Sequence, residues 1–184
     1  MTEPIGPIES PRERVLPVVA KLQTINYDQV KPLLDAKHKA DPLAGIAIAH
    51  LEDPAVVTPD GEYHFHAARV FTSSPEHPNF VKPHYHTIGE EPYVILSGSG
   101  GEMNLGRVLD GQVNWDAPKN VSEGETVIVE EGQVHSLRNT GEQPLDFVFG
   151  CPDTHLQDPP LPGADRFFTA SLPNGTPPQY PQAA

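Results

Sequence analysis

The sequence predicts an all-β fold, an antiparallel sandwich or barrel. Two observations carry that prediction. From residue 42 onward, short apolar runs with alternating character recur: AGIAIAHL, EYHFHAARVFT, EPYVILSG, GEMNLGRVL, ETVIVEE, VHSLRN and LDFVFGC. Turn signals separate them, namely Pro59-Asp60-Gly61, Ser73-Ser74-Pro75, the run from Ser97 to Gly101, Asp110-Gly111 and Glu123-Gly124. Period-two runs bounded by such clusters read as strands, and many strands with no helices between them read as antiparallel.

Ahead of the strands, residues 1–14 are polar and broken by proline, and the apolar stretch RVLPVVAKL follows. INYDQVKPLLDAKHKAD then holds a short helix with Asp28 as N-cap and Val30, Leu33 and Leu34 turned inward. Pro32 disfavours helical geometry at Lys31 and argues against an early start. The expected organisation is an arm and short helix over 1–41, a barrel over 42–151, and a proline-rich C-terminal extension over 152–184.

At 184 residues the chain is most simply one domain with a sizeable core. Twelve lysines and arginines against 25 acidic residues leave a net charge of −13, which speaks against nucleic acid or an anionic membrane as partner. Cys151 is the single cysteine, so no intrachain disulfide is possible. The N-terminal residues lack the apolar core of a secretory signal, and no apolar run has the length of a membrane span. A cytoplasmic protein is the expectation.

The stretch VKPHYHTIGEEPYVILSGSG carries the chemistry. Residues two apart on a strand share a face, so His84 and His86 converge while Tyr85 points away. After a turn at Thr87-Ile88-Gly89, Glu91 starts the next strand. Further on, GETVIVEEGQVHSLRN places His135 at the opening of another strand. Imidazoles with a carboxylate suit one divalent transition metal: Fe, Mn, Ni, Co or Zn.

His84, His86, Glu91 and Gly98, with four residues before the glutamate and six after it, match one spacing pattern. Gly124, Gly132, His135 and Asn139 match a second. Together and in this order they resemble the two motifs of the cupin superfamily. The one departure is Glu130, which stands at a usual proline position in a turn. The resemblance implies a double-stranded β-helix, or jelly-roll, barrel. It implies one metal held by His84, His86, Glu91 and His135, with positions left open for water or substrate. It also selects Glu91 over Glu90, because only Glu91 keeps the spacing to Gly98. Gly98 and Gly132 stand where hairpins turn sharply and positive φ is needed.

Other side chains are placed by alternation. Tyr93, two after Glu91, shares the inward face, as a proton donor or substrate contact or as an aromatic filling the barrel. His64 and His66 converge but lack a following carboxylate, so they read as pocket-lining or exposed. Arg69 lies on the opposite face from them, as a substrate clamp or a solvated residue. Glu90 reads as exposed, Arg138 as outward, Asn139 as an inward brace, and Cys151 as a small buried residue. His155 is a loop histidine at the barrel mouth. The order of these segments is also similar to the cupin-type phosphoglucose isomerases of archaea. It departs from them in HAARVFT, in the Val81-Lys82-Pro83 lead and at Cys151. That similarity carries over the metal ligands together with Tyr93 and His155 as catalytic residues.

The expected function is a mononuclear metal enzyme using the ion as a Lewis acid on a small polar substrate, either sugar-like or a hydroxy or carboxylic acid. An Fe(II) dioxygenase and a non-catalytic binding or sensing module are the alternatives. A homodimer is expected, paired through sheet edges with residues 15–30 as an exchanged arm.

Overall fold

The computed structural model describes residues 10–73, 79–157 and 165–168. Three helices come first: α1 (Pro11–Arg14), α2 (Leu16–Leu22) and α3 (Tyr27–Ala40). The strands are β1 (Ile46–His50), β2 (Val56–Thr58), β3 (Gly61–Val70), β4 (His84–Tyr85), β5 (Glu91–Ser97) and β6 (Gly101–Leu109). They continue with β7 (Gln112–Trp115), β8 (Lys119–Val121), β9 (Thr126–Val129), β10 (Gln133–Asn139), β11 (Leu145–Pro152) and β12 (Phe167–Phe168). A short 3₁₀ turn, Asp153–Leu156, precedes β12.

Two antiparallel sheets of six strands each build the barrel. One runs β1-β3-β11-β5-β9 with β2 beside β3, and the other runs β12-β4-β10-β6-β7 with β8 beside β6. The seven predicted runs are β1, β3, β5, β6, β9, β10 and β11. β4 is the strand expected to carry His84, ending at Tyr85; the strands not foreseen, β2, β7, β8 and β12, are two to four residues long, too short to show a period.

Alternation along β3 divides the apolar residues into two cores. Phe65 and Ala67 face outward and pack with Val18, Leu22, Val30 and Leu34 of the helices. Ala68 and Val70 face inward and join Ile95, Met103, Leu137 and Phe147 between the sheets. Helix α2 lies so close on β11 that a Cβ at Gly150 would meet Val18 Cγ1 at 2.6 Å. Residues 16–22 therefore cover the chain's own sheet as a helix.

Helix α3 starts earlier than predicted. Asn26, not Asp28, is its N-cap, its side chain accepting from the Asp28 N–H at 2.9 Å. Pro32 sits inside the helix without ending it. Val30 and Leu34 are buried as predicted, but Leu33 remains 43% exposed because it lies off the stripe that meets the sheet.

Arg69 explains how α3 is fixed in place. It sits on the helix-facing side of β3, where its Nε and Nη2 each donate to the Asp146 carboxylate at 2.7 Å, and its Nη1 donates to Asp35 at 2.7 Å. Tyr27 Oη also donates to Asp146, at 2.9 Å. This corrects the substrate-clamp reading: the guanidinium is committed to a strand–helix ion pair outside the barrel. Glu90 is a second correction. It is 1% exposed, not solvated, and burial pushes its carboxyl up from the usual range.

Gly98 bears out the turn argument, with φ +102° and the Pro144 carbonyl only 2.6 Å from where a Cβ would sit. Gly132 likewise has φ +72°. Arg138 Nη2 donates to Glu102 at 3.1 Å on the outer side. Asn139 is fully buried, donating to Val70 O at 3.0 Å and Gln143 O at 2.8 Å and accepting from the Gly141 N–H at 2.9 Å. Ser74, Pro75, residues 1–9 and most of the proline-rich extension lie outside the described residues.

Candidate metal centre

The four predicted ligands come from both sheets. Strand β4 pairs with β10 so that His84 stands directly opposite His135, with ring centroids 4.1 Å apart. His86 follows just past the end of β4, and its carbonyl is held by the Gly132 N–H at 2.7 Å. Glu91 opens β5 in the other sheet, opposite Val129. All four side chains are buried, and one potential ligand atom from each lies within 4.8 Å of the others.

Backbone carbonyls set the ring orientations. His84 Nδ1–H donates to Lys82 O at 2.7 Å, His86 Nδ1–H to Asp165 O at 2.8 Å, and His135 Nδ1–H to Gln133 O at 3.4 Å. A carbonyl can only accept, so each proton resides on Nδ1 and each Nε2 presents a lone pair. Glu91 Oε2 lies 3.3 Å from His86 Nε2 and 3.2 Å from His135 Nε2. His86 Nε2, His135 Nε2 and Glu91 Oε2 are buried without a hydrogen-bond partner. Buried polar atoms left unpaired are costly, and a cation among them removes the cost. The residues present therefore fit a divalent transition metal with a three-nitrogen, one-oxygen donor set.

Electrostatics agree with that fit. Burial pushes the Glu91 carboxyl up, but the His135 and His86 rings beside it outweigh burial and hold it well below the ordinary range. Burial, reinforced by His135 and His86, holds His84 well below its ordinary value and so neutral. A carboxylate and neutral imidazoles are the ligand forms a metal requires.

Tyr93 and His155 lie beside the cluster. The Tyr93 phenol is pushed well above its usual value, by burial first and then by the Glu91 charge, so it stays protonated. His155 is not in an open loop but in the 3₁₀ turn, 1% exposed. Its ring stacks on His86 with centroids 3.8 Å apart and planes 5° from parallel. Its Nε2–H donates to Ile88 O at 2.6 Å, leaving Nδ1 as a buried lone pair without a partner. Burial, then His86, lowers His155 to about 4. Cys151 is fully buried, and burial raises its thiol well above the usual value.

A cavity of about 220 Å³ opens onto His84 and Glu91. Tyr93, Phe147 and Phe149 form one side of it, Phe168 of β12 another, and Ile46 and Ile48 the rim. These walls are apolar, while His84, Glu91, His155, Lys82 and Arg166 bring polar groups to the same cavity. His66 stacks on Phe149 at 5.1 Å, and His64 is partly exposed, its Nε2 3.9 Å from Asp153. A larger depression of about 670 Å³ surrounds the Arg69–Asp146 pair, but that pair's donors are already committed.

Sequence reasoning missed Asp165. Its carboxylate accepts from Thr87 N at 3.0 Å, Thr87 Oγ1 at 2.5 Å and Ile88 N at 2.9 Å, and its carbonyl orients His86. No local signal marked it within a proline-rich tail. Phe147 and Phe149 were legible, since they alternate with inward Leu145 and Cys151.

No family model matches this sequence, and no curated protein does. Solved structures do match. An oxalate oxidase in complex with the substrate analogue glycolate is 19% identical over 58% of this chain and 50% of that chain, with a TM-score of 0.45. A predicted oxalate decarboxylase from Thermotoga maritima is 24% identical over 57% of this chain and 77% of that one, with a TM-score of 0.39. The polyketide cyclase RemF from Streptomyces resistomycificus is 15% identical over 70% and 80%, with a TM-score of 0.41. The match spans half the length of the oxalate oxidase, and all three are distant likenesses. Among the described residues no helix is long and apolar enough to cross a membrane. The chain's own features are two antiparallel sheets closing a barrel, both spaced motifs in order, and three imidazoles with one carboxylate meeting where those motifs meet. This is the fold of the cupin superfamily.

Proposed function

We propose that this chain is a mononuclear metal enzyme acting on a small organic molecule held in the apolar cavity. One observation carries the reading: His86 Nε2, His135 Nε2 and Glu91 Oε2 converge, buried and without partners, beside His84. A divalent ion held there supplies Lewis acidity. Tyr93 keeps its proton and lines the cavity, so it is the candidate general acid. His155 also lines the cavity, neutral and with an unshared Nδ1 pair, so it is the candidate proton acceptor. The aromatic walls exclude water from both. A homodimer belongs to the same reading, and light scattering on the eluted protein tests it.

The test is elemental analysis of protein purified without chelator or nickel resin, followed by turnover with and without oxygen. Near-stoichiometric zinc, manganese, cobalt or nickel with oxygen-independent turnover is the expected result. Iron with oxygen uptake makes the chain a dioxygenase instead. Failure to take up metal after reconstitution removes the reading.

A further inference from the structure

We infer that the molecule this cavity takes is a small anion with a flat apolar body, one ring or its equivalent, carrying a carboxylate or enolate at the end that meets the ligand cluster. This rests on the metal reading above and adds the class of substrate. Size comes first. About 220 Å³ lies below the range of roughly 300–1,000 Å³ usual for drug-sized ligands, so one ring with a short substituent fills it.

The walls come next. Phe147 and Phe149 project from β11 in one sheet and Phe168 from β12 in the other, so aromatic surface lies on both sides. Ile48 at the rim is still 45% exposed, an apolar edge over which an apolar body can pass. No serine, threonine, asparagine or glutamine lines the cavity among the described residues. The polar groups it does hold stand at the ligand cluster and in the two basic side chains, so the several hydroxyls of a polyol meet mostly aromatic and aliphatic wall, and burial against such a wall opposes them. A ring has nothing to leave unpaired.

Charge decides the other end. Among the described residues Glu91 is the one carboxylate in the lining, and it belongs to the ligand cluster, while Lys82 and Arg166 both reach the cavity. Arg166 also lies over the Phe168 ring, 5.3 Å from its centroid. Two basic side chains thus reach the cavity of a chain whose net charge is −13, and a divalent ion bound at the cluster would add to them. An anion is favoured there over a neutral or cationic ligand.

The test uses the full chain loaded with Zn²⁺, its zinc content measured before any ligand is added. Calorimetry then compares phenylpyruvate with pyruvate, which has the same head without the ring, and with glucose 6-phosphate. Phenylpyruvate is expected to bind at least tenfold more tightly than pyruvate, with glucose 6-phosphate the weakest. Ile48→Asn, at an exposed rim position that does not endanger folding, is expected to weaken phenylpyruvate about fivefold and leave pyruvate and zinc content unchanged. Equal binding of phenylpyruvate and pyruvate, or tightest binding of glucose 6-phosphate, overturns the inference. A chain that takes up no zinc fails the metal reading instead, and the phenylpyruvate preference of that metal-free protein still decides the substrate class.

Discussion

His86 Nδ1 donates to the backbone carbonyl of Asp165 at 2.8 Å, across 79 positions of sequence. The same residue's carboxylate holds the N–H groups of Thr87 and Ile88. A segment from the C-terminal region thus fixes both the tautomer of a ligand and the turn behind it. Asp165→Ala keeps that carbonyl but removes the carboxylate that anchors it to Thr87 and Ile88, and is expected to weaken metal retention by up to roughly tenfold, the low end of the range for disturbing the outer partner of a ligating histidine. Competition against a fluorescent chelator reads this. Unchanged retention would mean that the packing of β12 alone holds the carbonyl in place.

The ligand set makes its own prediction. His135→Ala is expected to lower metal stoichiometry and thermal stability together, because the ion binds the folded chain and the unfolded one lacks the site. Chelator treatment of the unaltered protein should reproduce the drop in Tm, and should have little further effect on His135→Ala. A full equivalent of metal in that variant would sink the assignment.

Tyr93 separates catalysis from packing. Tyr93→Phe keeps the ring that stacks on Phe149 and removes only the hydroxyl. With the phenol as general acid, kcat falls by about 10²–10⁴ while metal content and KM hold. Near-normal kcat would show that the residue only fills the barrel.

Arg69 and Asp146 bear on stability, not activity. Both are buried and hydrogen-bonded to each other twice, so removing one partner strands a charge. Asp146→Ala is expected to cost about 3–5 kcal/mol in urea unfolding. Asp35→Ala, at a half-exposed position, should cost under about 1 kcal/mol. Similar losses from both would show that α3 docks by its apolar face alone.

Acid stability should depend on His66. Burial first, then the His50 charge, lowers it to about 4 from an unfolded value of 6.5. Between those limits the unfolded chain binds a proton that the folded chain refuses, so stability is full above about 6.5 and falls as pH drops towards 4, then levels. One such group gives a slope of about 1.4 kcal/mol per pH unit. His66→Phe in metal-free protein is expected to flatten that limb. An unchanged slope would assign the acid loss to other groups, beginning with His155, which titrates in the same window.

The main strands were legible from local pattern, and the four side chains that cluster at the centre were legible from period two together with the motif resemblance. Period two put His84 with His86, and motif spacing separated Glu91 from Glu90. Glu90 itself was misread. Alternation says which face a side chain takes but not what lies over that face, and here Glu90 lies among residues of the N-terminal helices, Arg14 and Leu16 included. Arg69 was misread for the same reason: its face was predicted, its partners Asp35 and Asp146 were not. The two-residue strand β12 left no trace in the sequence, because two residues carry no period, whereas β4 is the strand on which His84 was expected, cut short at Tyr85.

By itself, then, the sequence determined the strand pattern, the order of the motifs and the residue types that meet at the centre. The strand pattern and the pairing of His84 with His86 follow from backbone periodicity and turn chemistry, which act over a few neighbours; that Glu91 and His135 join them is what the resemblance to the cupin motifs implied. Tertiary structure alone decided that Asp165 backs His86, that His155 stacks on it, and that aromatic side chains from two sheets line one small cavity beside them. Those relationships join residues distant along the chain, and only the closing of the barrel brings them within reach of one another.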